Sequence, residues 1–198
     1  MNNTAIIILA AGGSSRFGKI KQLVHFRGKT LLQHAIEQAT EAGGEPVVVV
    51  TGANSNEISK QINNEKTDIV FNKDWEQGMA SGIVTGLKKA VALKNKIEAA
   101  IIAVCDQPFI SSSLFQQLYH KQIKSAKDIV ACTYADTIGT PALFTHKYFD
   151  VLMSLKGDEG AKKLLKRYSN DVAAVDFPDG YIDIDTKEDY ERLLKGDR

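Results

Sequence analysis

Apolar runs of about six residues alternate along this chain with longer amphipathic stretches, and that rhythm predicts the architecture. Ala5–Ala10, Pro46–Thr51, Asp68–Asn72, Ala99–Cys105, Asp128–Tyr134, Ala142–Thr145 and Val172–Phe177 read as strands. The first, second and fourth are nearly continuous in Ile, Val, Leu and Ala, as expected of strands buried on both faces. Between them lie stretches with helical spacing of apolar residues. Thr30–Ala42 carries Leu31, Leu32, Ala35, Ile36 and Ala39 on one face, and Ser81–Lys94 carries Ile83, Val84, Leu87, Ala90 and Val91. Ser112–Lys124, Ala161–Tyr168 and Lys187–Leu194 complete the set. Strand-helix alternation predicts an α/β protein with a mostly parallel central sheet and helices on both faces. No repeat, low-complexity segment or linker interrupts it, so residues 1–198 are expected to form one domain.

Composition adds exclusions. A chain of 198 residues that is 43% hydrophobic can build one substantial core. Its formal net charge of +1 provides no global field for nucleic acid or an anionic membrane. Cys105 and Cys132 sit in apolar runs and read as buried free thiols. His25, His34, His120 and His146 show no paired metal spacing. The N-terminal segment has no charged leader pattern and no apolar run approaches spanning length, so a cytoplasmic protein is expected.

In open sheets of this type ligands bind beyond the carboxyl ends of the strands. The segment after the first strand is Ala11-Gly12-Gly13-Ser14-Ser15-Arg16-Phe17-Gly18-Lys19-Ile20-Lys21. Its glycines and small residues offer backbone N–H groups to an anion, and Arg16, Lys19 and Lys21 add positive charge. Gly13 to Lys19 has the spacing of a phosphate-binding P-loop. Ile20 stands where that motif needs Ser or Thr for magnesium, and no long helix follows. The dinucleotide glycine pattern is absent too. Asp106 follows the fourth strand, where a carboxylate can hold Mg²⁺ beside phosphate oxygens. Asp183 and Asp185 alternate along an extended segment and either one supplies a second carboxylate. Asp183 is preferred, because Asp185-Thr186 can equally start the last helix. Gly78 permits close backbone approach, and Ser81 suits a helix N-cap or a hydroxyl contact to nucleotide. Trp75 reads as packing, and Gly157–Gly160 as either a helix-capping turn or a flap.

Leu9-Ala10-Ala11-Gly12 with Ser14, Arg16, Gly18 and Lys21 resembles the opening motif of nucleotidyltransferases of the molybdenum cofactor type, with Phe17 where Met is usual. The resemblance continues through Trp75–Ile83, Cys105–Pro108, Gly139–Phe144, Gly157–Ala161 and Asp183–Thr186, in that order. It implies a Rossmann-like nucleotidyltransferase fold. It also implies transfer of a nucleoside monophosphate onto the terminal phosphate of a molybdopterin-type cofactor, with pyrophosphate release. Ala11 in place of the second glycine of Leu-Ala-Gly-Gly is similar to cytidylyltransferases and points to CTP. The implied catalytic residues are Arg16, Lys21 and Asp106. Leu9, Ala10, Ala11, Gly12, Gly13, Ser14, Ser15, Arg16, Lys21, Gly78 and Ser81 would bind nucleotide. Asp106 and Asp183 would bind Mg²⁺, and Gly139, Thr140, Pro141, Gly157 and Asp158 the second substrate. A molybdenum hydroxylase is an implied acceptor partner. Two alternatives stay open: a transferase acting on a sugar or polyol phosphate, and a non-catalytic cofactor-binding or insertion protein.

Overall fold

The computed structural model describes residues 1, 3–13, 17–63 and 65–196. Its strands are β1 (Thr4–Ala10), β2 (His25–Phe26), β3 (Lys29–Thr30), β4 (Val47–Thr51), β5 (Thr67–Phe71), β6 (Ala99–Val104), β7 (Ile129–Tyr134), β8 (Thr137–Thr145) and β9 (Val172–Asp176). Its helices are α1 (Leu31–Glu41), α2 (Ser55–Ser59), α3 (Met79–Leu93), α4 (Ser112–Ser125), α5 (Phe149–Met153), α6 (Ala161–Arg167) and α7 (Lys187–Lys195). Seven strands form one sheet in the order β5-β4-β1-β6-β8-β7-β9, and β2 and β3 make a separate hairpin. β5, β4, β1 and β6 pair in parallel, as do β7 and β9; β8 runs antiparallel to both its neighbours. The expected mostly parallel sheet is present.

Side-chain alternation divides the core between the two faces. Ile6, Ile8, Val47, Val49, Ile101 and Leu143 face α1 and α4, where Leu32, Ile36, Phe115 and Leu118 meet them. Ile7, Val48, Val50, Ile102 and Phe144 face α3, α5 and α6, against Ile83, Leu87, Leu152 and Leu164. Each fully buried Ile or Leu contributes roughly 1.5–3 kcal/mol. α3 packs tightly on the sheet at Gly86, where a Cβ would collide with Ile7 and Val50.

The sequence expectations need correction at β8 and at the start of α3. The strand expected at Ala142–Thr145 is the second half of the nine-residue β8. Its first half pairs with β7 through a tight turn at Ala135 and Asp136, both at positive φ. That places Gly139-Thr140-Pro141 within a strand. The helix expected from Ser81 begins at Met79, with Gly78 (φ 101°) as its N-cap. Ser81 is therefore the third helical residue and not the cap. The β2–β3 hairpin and the short helices α2 and α5 carry too few residues for a periodic signal.

Candidate active site

The sheet's carboxyl edge assembles the site. β1 delivers Ala11, Gly12 and Gly13; β5 delivers Asn72; β6 delivers Cys105, Asp106 and Gln107. These residues wall a cavity of about 780 Å³, closed at its far side by Tyr134, Gly139 and Thr140 from β7 and β8 and by Tyr181, Asp183 and Asp185 before α7. That volume suits a nucleotide-sized ligand.

Lys21 is the electrostatic centre. Its Nζ donates to Asp106 Oδ2 at 2.7 Å and to Asp185 Oδ1 at 2.8 Å. The lysine side chain is 14% exposed, against 20% and 34% for the two aspartates. Burial lowers its pKa, yet the charges and hydrogen bonds of Asp106 and Asp185 outweigh that and hold it above the ordinary lysine value. The Ile184 N–H donates to Asp106 O at 3.1 Å, which stitches the segment before α7 to the end of β6. Asp183 faces the same cavity. Desolvation, followed by the negative charges of Asp106 and Asp185, raises its carboxyl above the usual range.

Three buried amides that the sequence reading did not single out hold this arrangement. Gln22 Nε2 donates to Ala10 O at 3.1 Å and Gly12 O at 2.9 Å, clamping the first loop. Asn72 Nδ2 donates to Ser81 Oγ at 2.8 Å, and its Oδ1 accepts from the Asp74 N–H at 3.1 Å and Thr85 Oγ1 at 3.3 Å. Gln107 Nε2 donates to Thr140 O at 3.2 Å and Gly180 O at 2.8 Å, joining the β8 wall to the segment before α7. Two carbonyl acceptors fix the orientation of that amide. Its Oε1 is buried with no hydrogen-bond partner. The signal available in sequence was position: Asn72 directly follows β5, and Gln107 lies three residues beyond the end of β6.

The expected site residues fall into three groups. Leu9, Ala10, Ala11, Gly12, Gly13, Lys21, Gly78, Asp106, Gly139, Thr140, Asp158 and Asp183 line the one cavity. Ser81, Pro141 and Gly157 stand behind it. Ser81 Oγ donates to Gly78 O at 2.8 Å as well as accepting from Asn72, and Gly157 O accepts from the Ala80 N–H at 3.1 Å. Ser14, Ser15 and Arg16 lie outside the described residues. The Gly157–Asp158 turn is docked on the start of α3, where a Cβ at Gly78 would run into Asp158 and Gly157. Trp75 packs on the loop glycines, its ring 3.4 Å from a Cβ built on Gly13, and also faces the cavity. Burial, with Asp106 beside it, pushes the Cys105 thiol up to about 12, so it stays protonated. Cys132 is likewise a buried free thiol.

Cation binding fits the donor set in one specific way. Among the described residues no three His, Cys, Asp or Glu side chains are grouped to hold a metal by themselves. Asp106, with Asp183 or Asp185, could supply the one or two carboxylates that a divalent cation such as Mg²⁺ takes when phosphate oxygens and water complete its shell. No helix among the described residues is long and apolar enough to cross a membrane.

A mostly parallel sheet with a glycine loop after its first strand and carboxylates beyond a central one is the fold of nucleotidyltransferases. The chain belongs to the family of the MobA-like NTP transferase domain, whose model matches residues 6–172. It is 30% identical over 200 residues to nicotine blue oxidoreductase of Paenarthrobacter nicotinovorans, covering 95% of each chain. It is 26% identical to a probable molybdenum cofactor guanylyltransferase of Bacillus velezensis, covering 95% of this chain and 93% of that one. The crystal structure of Rv0371c from Mycobacterium tuberculosis superposes with a TM-score of 0.84 at 30% identity, covering 97% of both chains. A manganese complex of that protein superposes at 0.77.

Proposed function

We propose that this protein transfers CMP from CTP to the terminal phosphate of a molybdopterin-type acceptor, releasing pyrophosphate. The observation that carries the reading is Lys21 held between Asp106 and Asp185 at the floor of a cavity rimmed by the Gly12–Gly13 loop. In it, an acceptor phosphate oxygen attacks the α-phosphorus in line. The bond from that phosphorus to the bridging oxygen breaks, and the leaving pyrophosphate takes the electron pair. The loop N–H groups hold phosphate oxygens, and Lys21, with Arg16, neutralises charge on the leaving group. Asp106 with Asp183 or Asp185 would hold Mg²⁺, which supplies charge neutralisation across the phosphates when bound. No covalent enzyme intermediate is required. Gly139, Thr140 and Asp158 would bound the acceptor's end, with Pro141 and Gly157 next to them in the chain supporting that wall.

Ala11 supports CTP over GTP, because the loop resembles the Leu-Ala-Ala-Gly of cytidylyltransferases. The single domain over residues 1–198 and a cytoplasmic location belong to the same reading, as does delivery of the product to a molybdenum hydroxylase. A second reading also has an observation behind it: a relative named for oxidoreduction spans 95% of this chain. There the cavity would bind a nucleotide without releasing pyrophosphate.

Thermal unfolding with CTP, GTP, ATP and UTP, each with and without Mg²⁺, tests the first step. A ligand at about one hundred times its Kd adds roughly 2.7 kcal/mol, a rise of roughly 5 to 10 °C for a chain of this size. The expected result is a Mg²⁺-dependent rise selective for CTP, followed by pyrophosphate release when the pterin phosphate is added. A rise selective for GTP overturns the Ala11 argument and keeps the chemistry. Binding without pyrophosphate release favours the second reading.

A further inference from the structure

A second cavity, of about 550 Å³, lies between the β2–β3 hairpin and α7. Its walls are Phe26, Phe109, Tyr181 and Leu194, with the guanidinium groups of Arg27 and Arg192 facing it from opposite elements. Arg27 sits in the hairpin turn at φ 52°, a left-handed conformation that ordinarily selects Gly or Asn. Its guanidinium is fixed over two rings, 4.9 Å from the Phe26 centroid and 5.5 Å from that of Phe109. Those rings meet edge to face at 5.8 Å.

Charge around this cavity is unbalanced. Arg27, Arg192 and Lys195 line it, and among the described residues no ion pair engages any of the three. Two carboxylates, Asp183 and Asp189, share the cavity, and the Arg192 charge acts on Asp189. Asp189 Oδ2 accepts from the Thr186 N–H and Oγ1 at the start of α7, and Asp183 is shared with the catalytic cavity. Tyr181 and Asp183 are thus the common wall of the two cavities.

We propose that this cavity is a binding site, separate from the nucleotide cavity, for a small planar ring carrying a phosphate. Two arginines favour an oxyanion, since each guanidinium can donate a parallel pair of hydrogen bonds. Three cations against the two carboxylates Asp183 and Asp189 leave the cavity net positive, which favours an anionic ligand. The aromatic walls favour a flat ring, and 550 Å³ is within the range of small-ligand sites. The proposal does not depend on the nucleotidyl-transfer reading.

The test is amide NMR titration of the labelled full chain with phenyl phosphate, inorganic phosphate and phenol. Phenyl phosphate is expected to give saturable shifts at Arg27, Gly28 and Leu194, with a Kd at least about tenfold below either fragment's. Arg27→Gln and Arg192→Gln should each weaken it at least about tenfold. Arg192 is on an exposed helix face; if Arg27→Gln loses the folded spectrum, Arg192→Gln decides alone. The proposal is overturned by an absence of saturation, by shifts confined to Gly12, Gly13 and Lys21, or by unchanged binding in a folded arginine variant.

Discussion

Two lysines in this protein each bridge two aspartates at nearly the same distances, in different surroundings. Lys21 holds Asp106 and Asp185 at 2.7 and 2.8 Å; Lys147 holds Asp128 and Asp171 at 2.7 and 3.0 Å. Lys21 is 14% exposed and lies on the cavity floor at the sheet's carboxyl edge. Lys147 is 58% exposed and ties the start of the β7–β9 pair to the end of β8. Bond length therefore does not separate a structural cluster from a candidate catalytic one. Location does: the first cluster faces the cavity at the sheet's carboxyl edge, and its lysine is far less open to solvent screening than Lys147.

The largest test of that contrast is on turnover. Asp106→Asn keeps the volume and removes the charge. It is expected to lose about 3 kcal/mol of transition-state stabilisation, roughly a hundredfold in kcat, with the fold intact. Asp128→Asn should leave turnover untouched. Near-normal pyrophosphate release by Asp106→Asn would remove that residue from the mechanism and erase the distinction between the clusters.

Stability separates the lysines next. Lys21→Met leaves Asp106 and Asp185 facing each other across a partly buried space. A loss of about 1–3 kcal/mol is expected, allowing for their residual exposure, which is roughly 2 to 12 °C in Tm. Lys147→Met should barely move the melting temperature, because water already screens that pair. Equal shifts in side-by-side unfolding would show that the Lys21 cluster is no more sheltered than the surface one.

Asp183→Asn sharpens the picture in the opposite direction. Its carboxyl is raised by desolvation and by Asp106 and Asp185, so its charge opposes the folded state. Removing that charge should raise stability at neutral pH by a few tenths of a kcal/mol, the residue being substantially exposed, while Mg²⁺-dependent activity falls. A variant that is both less stable and fully active would exclude Asp183 from the cation site and leave Asp185 as the second carboxylate.

How much of this was legible in sequence follows from what pattern encodes. β1, β4 and β6 were readable because strands buried on both faces are continuous apolar runs, and α1 because its five buried residues sit at helical spacing. The first half of β8 was not. Its hairpin turns on Ala135-Asp136, and that pair lacks the glycine or asparagine that usually marks two residues at positive φ. At the site the residue types of Lys21, Asp106 and Asp185 were readable, but their meeting across 85 and 164 positions was not. Gln22, Asn72 and Gln107 escaped because one amide carries no periodicity; its meaning lies in the carbonyls and hydroxyls that the fold brings to it.

The smallest expected effect probes the surface cluster itself. Tyr148 OH donates to Asp171 Oδ2 at 2.7 Å, and that bond is the main reason the Asp171 carboxyl lies below its ordinary value. Burial, and then the same bond, push the Tyr148 phenol up to about 12. A depressed carboxyl adds stability that is present above the ordinary carboxylate range, near pH 4, and is lost as pH falls through the depressed value. A raised phenol adds stability that is present below about pH 10 and is lost as pH climbs toward the raised value. The melting-temperature gap between the natural chain and Tyr148→Phe should therefore form a plateau between those limits and close at both ends. A gap that stays constant down to about pH 3 would mean that the tyrosine contributes packing alone. The second lysine cluster would then be held by Lys147 without the phenol, and its likeness to the first would stop at the two aspartates.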